Sequence, residues 1–214
     1  MTLLRIVLSL FFGILLSGIW FGSLMLINSL GKTYKLPILC FFKTVIASVL
    51  PTLLIIVFIR PYSFEFTKGW NILNAFIACI TVVLTSFIAS FISGRKPKTG
   101  KVLLQSGIDG MLMEVPQRFM MQTFLWGMLQ IFHIEEAGRY AIICNAIVWC
   151  ISIVIQYIIS REPLEKSAFL EILASFVFSI GIGYVFYQNC FIILPMAAHF
   201  CERMLSNFLI QKKS

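Results

Sequence analysis

Long apolar runs separated by short polar segments dominate this chain. The first covers Ile6 to Ser29, and others follow at about 36–59, 71–93, 103–132, 140–159, 167–187 and 190–210, divided by segments rich in Lys, Arg, Pro, Gly and Glu. A stretch of about 18 or more apolar residues with few charges reads as a transmembrane helix. The pattern therefore predicts an all-α, polytopic transmembrane bundle of about seven spans, with residues 1–214 forming a single transmembrane domain. The first run is too long for a signal-peptide core and has no small-residue cleavage pattern, so it is expected to be a retained helix. Its small pairs, Gly13/Ser17 and Gly18/Gly22, predict close helix packing.

The fourth run, 103–132, is longer than a span needs. Its length is ~45 Å at ~1.5 Å per residue, against a hydrocarbon core of ~30 Å. A break is expected, with Gly107, Gly110 and Pro116 supplying the means and a new helix starting near Glu114. Interrupted helices survive at membrane depth only where they are buried in protein or line a wet cavity. This run is therefore where a functional pocket is expected.

Composition agrees with the pattern. Hydrophobic residues make up 59% and charged residues 12%, with a mean hydropathy of +0.94. Soluble domains run near 45–50% and about 25%, so a soluble domain, a disordered chain and a secreted disulfide scaffold are excluded. Lys and Arg number 17 against nine acids, a net charge of +8, but the excess lies between the apolar runs rather than on one face. That distribution excludes a nucleic-acid partner and sets orientation instead. The connections after spans one, three and five and the C-terminal tail hold ten basic residues: Lys32, Lys35, Arg95, Lys96, Lys98, Lys101, Arg161, Lys166, Lys212 and Lys213. The opposite side holds four, Arg5, Arg60, Lys68 and Arg139. Cytoplasmic connections are enriched in Lys and Arg, so the N-terminus is expected outside and the C-terminus inside, in a multi-pass protein of the cell membrane. The six cysteines, at 40, 79, 144, 150, 190 and 201, form no C-x-x-C pair and read as small buried hydrophobes.

Ionisable groups inside a bilayer are costly and usually face a cavity or a partner, so the few present mark the candidate site. Glu114, Arg118 and Gln122 are spaced by four on one helix face, with the acid N-terminal to the base, the favourable order. Asp109 precedes them and reads first as a cap or turn residue. In the last span His199 and Arg203 share a face, with Glu202 between them, and the fifth span carries Asn145 and Trp149, which read first as packing residues. Glu114, His199 and Trp149 each lie some 14–16 Å into their runs by helical rise, so convergence near the midplane is expected. Lys43 and Glu171 lie near span ends and are expected to snorkel. Glu135, Glu136, His133 and Arg139 read as a solvated outer connection.

The inventory narrows the chemistry. Asp109 is the sole Asp, so there is no aspartyl dyad, and the two histidines, at 133 and 199, form no H-E-x-x-H. No G-x-S-x-G, P-loop or G-x-G-x-x-G occurs. What remains is a carboxylate with an Arg partner and one deep His, a set suited to general-base activation of a water. No cofactor and no metal are expected.

A long broken span with Glu114-x-x-x-Arg118, an apolar span with Trp149 and a late span containing Pro195-Met-Ala-Ala-His199 together resemble the CAAX-protease and bacteriocin-processing family, also called the Abi family. The resemblance covers about 100–208. It implies a helical bundle with three motifs, E-E-x-x-x-R, F-x-x-x-H and H-x-x-x-N, and glutamic-type hydrolysis of membrane-associated peptides. Glu114, Arg118 and His199 match motif positions and are the implied catalytic set, with Asp109, Gln122, Asn145, Trp149, Glu202 and Arg203 as possible support. Met113 stands where the first motif Glu belongs, the second motif lacks its His, and Arg203 replaces the final Asn. The expected function is a membrane-embedded peptidase acting on a peptide or membrane-protein substrate. The alternatives are a non-hydrolysing relative that binds a peptide or membrane partner, as in bacteriocin immunity, and a small transporter. Membrane lipid is the remaining expected partner.

Overall fold

A computed structural model describes residues 2–55, 57, 71–92, 97–161 and 163–211. Arg60, Lys68, Arg95, Lys96, Lys212 and Lys213, used above to orient the chain, lie outside the described residues, as do the last two residues of the second predicted run. The described chain is helical, with no strand among the described residues. In order it forms α1 (Thr2–Thr33), α2 (Pro37–Leu54), α3 (Ile72–Ala89), α4 (Gly100–Glu114), a π-helical segment (Val115–Gln122), α5 (Thr123–Ile131), α6 (Ala137–Ser160), α7 (Lys166–Asn189) and α8 (Ile193–Gln211). Five of these, α1, α2, α3, α6 and α7, are long and apolar enough to cross a membrane. The chain is thus a multi-pass membrane protein. The predicted fourth and seventh spans are helical too, but α4 is short and α8 carries His199, Glu202, Arg203 and Asn207, which lowers its hydropathy.

The helices pack into two compact units whose boundaries fall inside α4 and α6. The first unit takes Met1–Phe64 and Leu112–Val148, so it holds α1, α2, the π-helical segment, α5 and the first half of α6. The buried stripe of α1 runs Ser9, Gly13, Ser17 and Trp20, a spacing of four, four and three that keeps one face inward. Gly13 allows the close approach expected of it: a Cβ there would stand 3.0 Å from Leu125 Cδ2 and 3.1 Å from Val148 Cγ2. Gly18 and Gly22, the other expected packing pair, face open space. Trp20 Nε1 donates to Ser48 Oγ at 3.1 Å and fixes α1 against α2. Lys43, rather than snorkelling alone, donates through Nζ to Asn28 Oδ1 at 3.2 Å. Arg5 Nη1 donates to the Phe132 carbonyl at 2.9 Å, a cation on an otherwise orphaned carbonyl just past the end of α5.

The second unit takes Glu65–Met111 and Trp149–Ser214. Its core joins Ala78 and Val82 of α3, Phe178, Ile182 and Val185 of α7, and Ala198 of α8. α3 packs tightly on α7 at Gly181, where an added Cβ would collide with the Thr81 side chain. Asn71 caps α3, its Oδ1 accepting from the Leu73 N–H at 2.9 Å. On α6 and α7, Tyr157 donates its hydroxyl to Glu171 at 2.9 Å, so Glu171 is held within the unit instead of reaching alone for the interface.

Two expectations need correction. Gly107 and Gly110 do not break the fourth run, because α4 continues through both. They instead admit α8: a Cβ at Gly107 would lie 2.7 Å from Phe200 Cε2, and one at Gly110 would lie 2.9 Å from both His199 Cδ2 and Arg203 Cγ. The six thiols are free as expected, but Cys79 and Cys201 are exposed on their helices rather than buried. An outward face in lipid accepts a thiol much as it accepts a methyl group.

Candidate functional site

The fourth run changes its winding where the sequence places Pro116. Instead of stopping and restarting, the helix opens from α to π over Val115–Gln122, with Pro116 in its first turn. Pro lacks an N–H and is tolerated where that donor would have no helical partner. The Thr123 N–H reaches back to the Arg118 carbonyl, the five-residue spacing that defines a π turn. The Thr123 hydroxyl donates to the same carbonyl at 3.0 Å. Such insertions into α-helices are frequent at functional sites.

Within the first unit this segment carries the ladder expected from the sequence. Arg118 Nε donates to Glu114 Oε2 at 2.8 Å, and Arg118 Nη1 donates to Gln122 Oε1 at 3.2 Å. All three side chains have 0% exposure. A buried ion pair offsets its desolvation only with good geometry and further hydrogen bonds, and Gln122 supplies one of these. Met120 and Met121 of the same segment are also fully buried. Asn145 of α6 belongs to the same unit and is also fully buried.

The second unit holds the other candidates, Asp109, Trp149, His199, Glu202 and Arg203. His199 is 5% exposed and its ring lies 4.5 Å, centroid to centroid, from that of Phe178, tilted at 51°. Arg203 Nη2 stands 3.4 Å from His199 Nε2. Guanidinium has no acceptor, so a hydrogen bond here uses the Nε2 lone pair. Arg203 Nε also lies 3.5 Å from the Glu202 carboxylate, whose backbone carbonyl accepts from Ser86 Oγ at 3.2 Å. The three residues of α8 therefore form one cluster. Asp109 is neither a cap nor a turn residue: it sits inside α4, accepts from Gln105 Nε2 at 2.8 Å and lines an open groove with Lys98 and Lys101. Trp149 is buried in α6. The connection between α5 and α6 is exposed as expected, with Arg139 and Glu136 paired at 2.6 Å and both largely accessible.

Two features escaped the sequence reading. Gln117 is 8% exposed, and its Oε1 has no hydrogen-bond partner among the described residues. It stands three residues from Glu114 in the π-helical segment, beside the Glu114–Arg118 face. The groove beside Asp109 is the second, since in the sequence Lys98 and Lys101 carry only an orienting signal. Among the described residues no group of three or more His, Cys, Asp or Glu side chains is placed to hold a metal. No family model, curated protein or solved structure matches this chain.

Proposed function

We propose that this chain is a membrane-embedded relative of the CAAX-protease and bacteriocin-processing family that holds a membrane-associated peptide or a partner membrane protein without cleaving it. The observation that carries this reading is the closed Glu114–Arg118 pair, bonded at 2.8 Å with both side chains at 0% exposure. A general base needs a water within hydrogen-bond reach. Here the carboxylate is turned toward its own guanidinium, and separating a buried pair costs about 3–5 kcal/mol. Met113 in place of the first motif Glu, and the absence of the second-motif His, point the same way.

Hydrolysis is the second reading, favoured by one specific feature: a buried carboxylate and guanidinium are retained in the first unit and a buried imidazole in the second, the residue types that activating water and polarising a carbonyl require. In both readings the chain has about seven spans, with the N-terminus outside and the C-terminus inside the cell membrane.

The test is reconstitution of the purified protein with a mixed peptide library, read by mass spectrometry for retained and cleaved peptides. Wild type is expected to retain peptides intact, while Met113→Glu, which restores the family's first acid, gains cleavage. Cleavage by wild type that disappears in both Glu114→Gln and His199→Ala would replace the binding reading with the peptidase one.

A further inference from the structure

The groove of the second unit is built from the residues that precede α4 and from its first turns, and it has a volume of 400 Å³. Lys98, Lys101, Val102, Gln105, Ser106 and Asp109 line it. Lys101, Gln105 and Asp109 follow one another at intervals of four, so a polar stripe runs along one face of α4. The charge is unequal along it, with two ammonium groups toward the N-terminal end and one carboxylate at the far end. The amide of Gln105 donates to that carboxylate and takes up part of its charge. The ammonium end is left as the stronger field.

Lys98 is held in place by two means. Its backbone N–H donates to Asn207 Oδ1 at 2.6 Å and its carbonyl accepts from Asn207 Nδ2 at 3.0 Å, so one amide of α8, 8% exposed, grips both sides of the residue. Its Nζ then donates to Ser106 Oγ at 3.0 Å. An ordinary surface lysine is a flexible, solvated charge, whereas this one is anchored at both ends. The Ser106 hydroxyl accepts from that cation and keeps its own O–H donor beside it.

We infer that this groove binds the phosphate of an anionic phospholipid headgroup, with Lys98 and Lys101 as its cations and Ser106 as a neutral partner. Lipid is favoured over free phosphate because the groove lies on a multi-pass membrane protein, is lined by the exposed Val102, and belongs to a helix that also exposes Leu104. They offer acyl chains a surface next to the charged end. Basic residues beside a membrane surface attract acidic headgroups, by about 1 kcal/mol for each Lys or Arg. This assignment stands on the second unit alone and does not depend on the family reading.

The test uses the full chain in neutral detergent and a soluble short-chain probe, dihexanoyl phosphatidylglycerol, with dihexanoyl phosphatidylcholine and inorganic phosphate as separate arms. Phosphatidylglycerol should bind best, and Lys98→Gln combined with Lys101→Gln should weaken it roughly thirtyfold. Lys166→Gln, outside the groove, should leave it unchanged. Asp109→Asn removes the opposing charge while keeping an acceptor for Gln105, and should tighten binding about fivefold, a gain that misfolding cannot imitate. Equal affinity for the two lipids, or no loss in the double lysine variant with an unchanged melting temperature, would overturn the assignment. Inorganic phosphate binding as tightly as the lipid would overturn its lipid part.

Discussion

Glu114 and Arg118 are the most informative pair of side chains in the protein. Removing one partner from a buried pair leaves an uncompensated charge and costs about 3–5 kcal/mol, whereas replacing both by apolar residues of similar volume is often neutral or stabilising. Arg118→Met is therefore expected to be strongly destabilised toward detergent-induced unfolding. Adding Glu114→Leu to it should recover most of the loss. If the double variant were as unstable as the two single losses added together, the pair would have to be held by groups beyond each other. At this scale the sequence was legible in part. The interval of four between Glu114, Arg118 and Gln122 was enough to place them on one face, because that spacing needs only local geometry. The burial of Gln117 was not legible, since it depends on which helices pack against the segment, and nothing in a single sequence distinguishes an α turn from a π turn around Pro116. Asp109 was misread as a cap because a Gly follows it, a local signal overridden by the continuity of α4.

Among the elements, α3 meets α7 tightly at Gly181, where the Thr81 side chain fills the space a Cβ would need. Overpacking of this kind costs about 1–3 kcal/mol, so Gly181→Ala should lower the melting temperature in detergent. Thr81→Ala should restore part of the loss when combined with it, because it removes Oγ1 and Cγ2 from the collision. Additive effects of the two changes would mean that α3 and α7 separate rather than clash. The lesson for reading glycines is general. Gly107 and Gly110 looked like helix breakers from their neighbours in sequence, yet their role is set by α8, which arrives from ninety or so positions later and lays Phe200, His199 and Arg203 over them. Glycine weakens a helix by only about 1 kcal/mol, less than tight packing at a membrane interface can return. Long apolar runs, by contrast, were readable directly as helices, since hydropathy and span length act without reference to partners.

For the whole molecule, the excess of basic residues gives a topology that can be checked. Reporter fusions after Thr33 and after Arg161 should be active only for a cytoplasmic reporter, and a fusion in the connection at Ile134 only for an external one. The reverse pattern would refute the orientation, and the same state at Thr33 and Ile134 would refute the span count. The membrane class, the helical architecture and most helix limits follow from hydropathy alone. The division of the candidate residues between two compact units does not, because depth along separate runs says nothing about which helices become neighbours. The grip of Asn207 on Lys98 adds a temporal consequence. Those residues are separated by 109 positions, which at translation speeds of about 5–20 residues per second is a delay of several seconds or more. During that interval the segment before α4 has left the ribosome without the amide that will fix it. The groove is therefore completed near the end of biosynthesis, and a nascent chain interrupted before α8 carries the lysines but not their alignment.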